Sequence, residues 1–140
     1  MAHWLFKSEP ETWSWQQQLA KGAPEEWHGV RNYQARNNMR AMQLGELGFF
    51  YHSVQEKRIM GIVKVVALAH PDSTALVPGE KVVWECVDIE AVKPLPKPVG
   101  LDDIKAEPDL AGMVLVNNSR LSVQPVSDGE WAKICAMGGL

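Results

Sequence analysis

The sequence predicts an α+β protein built on a small β-barrel of about five to six strands with helices packed around it. Three observations carry that expectation. Strand-forming material dominates the middle of the chain, from Leu47 to Val92. Helix signatures cluster early and late, as two capping boxes at Ser14-Trp15-Gln16-Gln17 and Ser127-Asp128-Gly129-Glu130. With 46% apolar and 22% charged residues over 140 positions, the chain is one domain long enough to bury a core.

The elements follow in order. His3 to Lys7 alternates apolar Trp4 and Phe6 with other residues and reads as a strand. The first capping box opens a helix that Gly22 ends. Asn32 to Met42 reads as a second helix, with Ala35, Met39 and Met42 on one face and Tyr33, Arg36 and Arg40 on a neighbouring stripe. Leu47–Ser53 and Ile59–Ala69 flank a polar turn around Gln55 to Lys57, the pattern of a hairpin. Lys81 to Val92 alternates as a strand. The Pro-rich run from Lys93 to Pro98 reads as an extended connection after it. A short helix over Leu101–Ala106, a late strand over Ser122–Val126 and a C-terminal helix with Trp131, Ile134 and Cys135 inward complete the chain.

Composition bounds function. The net charge of −3 argues against tight, sequence-blind binding to a long duplex. Its distribution matters more: from Arg31 to Arg58 five basic residues face two acids, a local +3, so the remainder carries −6. A basic face on an acidic body suits a ligand met at one place. No apolar run approaches the length of a membrane span, and the start lacks the pattern of a signal peptide. Cys86 and Cys135 sit in apolar contexts outside any metal spacing, so two buried free thiols in a reducing, cytoplasmic setting are expected.

The densest functional signal runs from Glu26 to Arg40, where three arginines, three asparagines, Trp27 and Tyr33 sit together. Guanidiniums and carboxamides make paired hydrogen bonds, and aromatic rings stack on flat ligands. A nucleobase with its phosphate fits that mixture. Trp27 lies in a loop and so either folds back on the core or walls a site; Gly29 and the helix start beside it favour the site. Lys7-Ser8-Glu9-Pro10 is either plain strand-end chemistry or the edge of a cleft. Tyr51-His52-Ser53 ends an apolar strand, and His28 and His52 form no metal motif, so no metal is expected. Arg120, within Asn118–Ser122, is either a salt-bridged surface residue or a phosphate clamp. No phosphate loop, dinucleotide fingerprint or nucleophile elbow is present, so neither catalytic residues nor a cofactor are expected.

Four of these clusters, in order, closely resemble the EVE domain family of the PUA-like superfamily: Trp4–Pro10, Trp27–Asn37, Phe50–Ser53 and Ser119–Pro125. The resemblance covers nearly the whole chain. It implies a PUA-like barrel that reads modified bases, chiefly modified cytosines in DNA, held flipped out in a pocket. A more distant resemblance to YTH domains matches Lys7 and Ser8 to a pocket edge and Trp27 to an aromatic cage wall. Glu9 departs from the asparagine usual there, and its acceptor-only carboxylate suits a cytosine amine. The implied base pocket is Ser8, Glu9, Trp27, Asn32, Tyr33 and Ser53, with Lys7, Arg31, Arg36 and Arg120 on phosphates. The implied partner is nucleic acid with a modified base, DNA ahead of RNA, with no membrane and with any effector protein acting in trans. The competing reading is an enzyme on a small nucleotide, using Glu9, His52 and Ser53 as acid–base groups. An interaction module whose arginines meet an acidic protein is third.

Overall fold

Residues 1–140 are described by a computed structural model. Along the chain run β1 (His3–Ser8), α1 (Trp15–Lys21), β2 (Glu25–Glu26), α2 (Tyr33–Ala41), β3 (Leu47–His52), β4 (Arg58–Pro71) and β5 (Glu85–Gly100). There follow α3 (Leu101–Lys105), a 3-10 turn (Pro108–Leu110), α4 (Val114–Asn117), β6 (Val123–Val126) and α5 (Asp128–Met137). The six strands make one mixed sheet in the order β2-β5-β4-β3-β1-β6. Only β1 and β3 pair in parallel, because α1 and α2 carry the chain back across the sheet between them.

Period-two alternation builds two cores from one sheet. Trp4 and Phe6 of β1 and Phe50 of β3 face a layer closed by Trp15, Trp27 and the Ala35 and Met39 of α2. Leu5, Phe49 and Tyr51 face the opposite layer, closed by Ile104, Leu110, Met113 and Ile134. The early helices therefore cover one face and the late helices the other. Register shifts along β4 and β5 bend the sheet. Its two edge strands are not paired to each other; α2 packs against both β5 and β6, and Asn38 Nδ2 donates to Val123 O at 2.8 Å.

Both capping boxes form, and Gly22 takes the left-handed conformation, φ +60°, that ends α1. The β3–β4 hairpin also forms, through an unusual turn in which Val54, Glu56 and Lys57 all have positive φ. Three expectations need correction. Lys81–Trp84 is not strand: Val82 and Val83 are exposed there, and regular pairing starts at Glu85. The Pro-rich run is not a connection but the second half of β5, where Leu95 to Pro98 have no ladder partner on β4 and so need no donors. Cys86 is fully buried, but Cys135 is only half-buried, on the margin of the second core. The 3-10 turn and α4 are too short to show any periodicity.

Candidate nucleic-acid interface

The site forms where β1 ends between its two neighbours. Lys7 N donates to Ser122 O at 2.8 Å, and Ser53 N donates to Ser8 O at 2.9 Å, which pins the strand end against both the β6 approach and β3. Beyond Ser8 the chain turns at once. The amides of Thr12 and Trp13 both donate to Glu9 O at 2.9 Å, and Ser8 Oγ donates to Trp13 O. That turn also fixes Trp13, whose indole Nε1 donates to Gln18 Oε1 at 2.9 Å.

A cleft of about 450 Å³ opens between this turn and the β2–α2 connection, lined by Lys7, Ser8, Glu9, Trp13, Trp27 and Arg31 among others. A second cleft of about 500 Å³ adjoins it, sharing Lys7, Glu9 and Ser122 and adding Tyr51, Ser53, Lys57 and Arg120. Glu9 is exposed where the two meet, and its carboxylate makes no ion pair.

Electrostatics separate the two clefts. Asp72 is 1% exposed, and burial alone would raise its pKa. Hydrogen bonds from Thr74 Oγ1, Gly29 N, Thr74 N and Arg31 outweigh that and hold it at about 2. Arg31 Nη1 lies 3.1 Å from Asp72 Oδ2, so its charge is largely neutralised from within the protein. Gly29 reaches that carboxylate from φ +85°, a conformation other residues adopt with strain. Lys7, by contrast, has no carboxylate partner. Its Nζ donates to Ser119 O at 2.8 Å, and partial burial pushes its pKa down. Neither Lys57 nor Arg120 is ion-paired, so of the two clefts it is the second that carries more unneutralised positive charge.

The expected site residues are thus divided. Lys7, Ser8, Glu9, Trp27 and Arg31 line the first cleft; Ser53 and Arg120 line the second, together with Lys7 and Glu9. Asn32, Tyr33 and Arg36 line neither. Asn32 is committed as the cap of α2, accepting from Ala35 N at 2.9 Å. Tyr33 stacks on Trp84 with ring centroids 4.9 Å apart, and Arg36 Nη1 donates to Val83 O at 2.9 Å. Trp27 belongs to both readings of its loop. It is 7% exposed, packed edge-on against Phe6 at 5.4 Å and Phe50 at 5.6 Å, and it still lines the cleft. Trp13 and Asp72 were not expected here. Trp13 is masked by the capping box that follows it, although Pro10 already marks a turn three residues earlier. Asp72 is 41 positions from Arg31, and no local signal joins them.

His52 is 1% exposed, and its Nε2 accepts from Trp15 N at 2.9 Å. Its Nδ1 therefore carries the proton and donates to Glu56 Oε2 at 2.9 Å. Glu26, His70 and Cys86 bring three ligand-type atoms within 4.8 Å of one another. Each is already engaged: Glu26 by the Ser73 hydroxyl and amide, His70 Nε2 by Asp88 at 2.7 Å, and Cys86 by Glu26. Burial and the carboxylates around it push the Cys86 thiol up to about 12, so this set reads as a closed hydrogen-bonded network.

Comparison with known proteins places this geometry. Thymocyte nuclear protein 1 of chicken is 37% identical over an alignment covering 92% of this chain, which spans only 65% of the chicken protein's length. The crystal structure of an Agrobacterium tumefaciens protein is 58% identical, with a TM-score of 0.95, covering 100% of this chain and 94% of that one. A crystal structure of human THYN1 in complex with 5-methylcytosine-containing DNA is 34% identical, with a TM-score of 0.92, covering 100% of this chain and 99% of that one. These likenesses establish the α+β, PUA-like architecture expected from the sequence. The model of the EVE domain matches residues 2–137, and the chain belongs to that family.

Proposed function

We propose that this protein is a non-catalytic reader that takes a modified cytosine of DNA, flipped out of its stack, into the first cleft. The observation that carries the reading is Glu9, an exposed carboxylate without an ion-pair partner at the Ser8–Trp13 turn, in a cleft that Trp13 and Trp27 also line. A carboxylate only accepts, and the cytosine edge offers the N4 amine as a donor. Trp13 and Trp27 supply ring surface for the base, and a cleft of about 450 Å³ is of ordinary ligand-site size. The likeness to a human protein crystallised with 5-methylcytosine-containing DNA supports the same ligand class.

The flanking phosphates fall to Lys7, Lys57 and Arg120 in the second cleft, because these cations lack carboxylate partners. Arg31, paired to Asp72, orients the cleft wall more than it draws phosphate. The competing acid–base reading loses support from His52, whose ring nitrogens are both occupied in a buried site. Extrusion of a base from a duplex costs a few kcal/mol, so single-stranded ligands bind more tightly than duplexes.

The test is a titration with single-stranded oligonucleotides carrying cytosine, 5-methylcytosine, 5-hydroxymethylcytosine or N6-methyladenine. A modified cytosine is expected to bind best. Glu9→Gln, which keeps an acceptor oxygen but loses the charge, should lose about 1 kcal/mol, the difference between a charged and a neutral hydrogen bond. Trp13→Ala should lose about 1–3 kcal/mol of stacking. Parent-like binding by both variants would remove the first cleft from consideration.

A further inference from the structure

We propose that Tyr33 and Trp84 form a stacking platform for a second, unpaired nucleobase, a neighbour of the base in the first cleft, with Arg36 beside it for the phosphate. The inference rests on the nucleic-acid reading above and extends it to a subsite outside both clefts. Tyr33 is the first residue of α2 and is 61% exposed. One face of its ring is covered by Trp84, at 4.9 Å between centroids and 29° between planes.

The position of Arg36 bears on the other face. Its guanidinium carbon is 4.9 Å from the Tyr33 centroid and 6.0 Å from that of Trp84. A cation lying on the outer face of Tyr33 would be roughly twice as far from Trp84 as from Tyr33, since the two rings are stacked. Arg36 therefore does not sit squarely over the outer face of Tyr33, whose side chain is largely exposed. A flat exposed ring backed by a second ring, with a cation at its side, is the arrangement on which bases stack.

Charge and continuity select the occupant. Arg36 is held by Val83 O and by Asn37 Oδ1, both neutral, and has no carboxylate partner. Arg40, one turn further along α2, is by contrast paired to Glu85. The uncompensated cation is thus the one beside the free ring, which complements a phosphate. Arg31 links the places: it lines the first cleft, and its guanidinium carbon lies 5.6 Å from the Trp84 ring. The platform therefore adjoins the first cleft through Arg31, whereas Arg120 lines only the second cleft. A strand whose modified base enters the cleft has one neighbour over Tyr33 and the other toward Lys57.

The experiment uses single-stranded DNA with one 5-methylcytosine whose neighbour on one side, or on the other, is replaced by an abasic nucleotide. For the parent protein, an abasic nucleotide on one side only should weaken binding roughly tenfold. Tyr33→Ala should bind the intact strand roughly tenfold more weakly and be indifferent to that abasic site, while Tyr33→Phe retains parent binding. Equal loss by Tyr33→Ala on intact and abasic strands, or no loss at all, overturns the platform; the latter is what a protein-docking patch would give. The parent's preference for 5-methylcytosine over cytosine reads the cleft separately. Coupling without that preference leaves the platform and removes the methylcytosine reading, whereas preference without coupling does the reverse. Absence of binding to every strand overturns both.

Discussion

At the scale of single residues, the site depends on side chains that do two jobs. Trp27 both fills the core and lines the cleft, so Trp27→Ala should cost about 3–5 kcal/mol of stability by leaving a cavity against Phe6 and Phe50. Trp13→Ala, at a residue only partly buried against the same core, should lose binding with less effect on stability. Chemical denaturation of both variants beside ligand titration separates the roles. Asp72 gives the pH signature. Its folded pKa, about 2, lies below its ordinary 3.8, so the folded protein releases that proton more readily than the unfolded chain. The stability gained, about 2 kcal/mol, is complete above about pH 4 and disappears as the pH falls through 2. Urea unfolding at pH 5 and at pH 2.5 should therefore differ less in Asp72→Asn than in the parent; an equal difference would deny Asp72 this role. Lys7, Ser8, Glu9 and Trp27 were legible in the sequence because each sits in a compact polar or aromatic cluster at a strand end or in a glycine-bounded loop. Asp72 and Trp84 were not, because their meaning comes from residues more than forty positions away.

At the scale of elements, the β3–β4 turn stands apart. Val54 is β-branched and 66% exposed, yet has φ +65°, where its Cβ crowds the following carbonyl. Val54→Gly should gain about 1 kcal/mol of thermal or chemical stability by relieving that strain. The same turn carries Lys57 into the second cleft, so loosening it should weaken DNA binding while the protein becomes more stable. Loss of stability in Val54→Gly would mean the turn is not strained. Element prediction succeeded where a local signal was complete: both capping boxes form, and so does the alternating β1 strand. It failed at Lys93–Pro98, where prolines spoke against a strand and the irregular pairing of β5 removed their objection. It failed again at Lys81–Trp84, where alternation was present and a partner strand was not.

At the scale of the whole molecule, an acidic body carries four cations without a carboxylate partner along the path described: Lys7, Lys57 and Arg120 at the clefts and Arg36 beside Tyr33. With three or four phosphates neutralised, the slope of log affinity against log salt on single-stranded DNA should be about −2 to −3. Arg120→Ala should reduce its magnitude by about 0.7, and an unchanged slope would place Arg120 off the nucleic-acid path. No helix is long and apolar enough to cross a membrane. The parallel pairing of β1 with β3, and its antiparallel pairing with β6, also bears on how the molecule is made. The first strand described is completed on one side by a strand made much later in the chain. At ordinary translation speeds the open ladder of β1 waits on the order of ten seconds for Val123–Val126. During that interval it is an apolar edge able to pair with other nascent chains, so the cleft at the end of β1 stays incomplete until β6 is made, and that edge is what a chaperone has reason to guard.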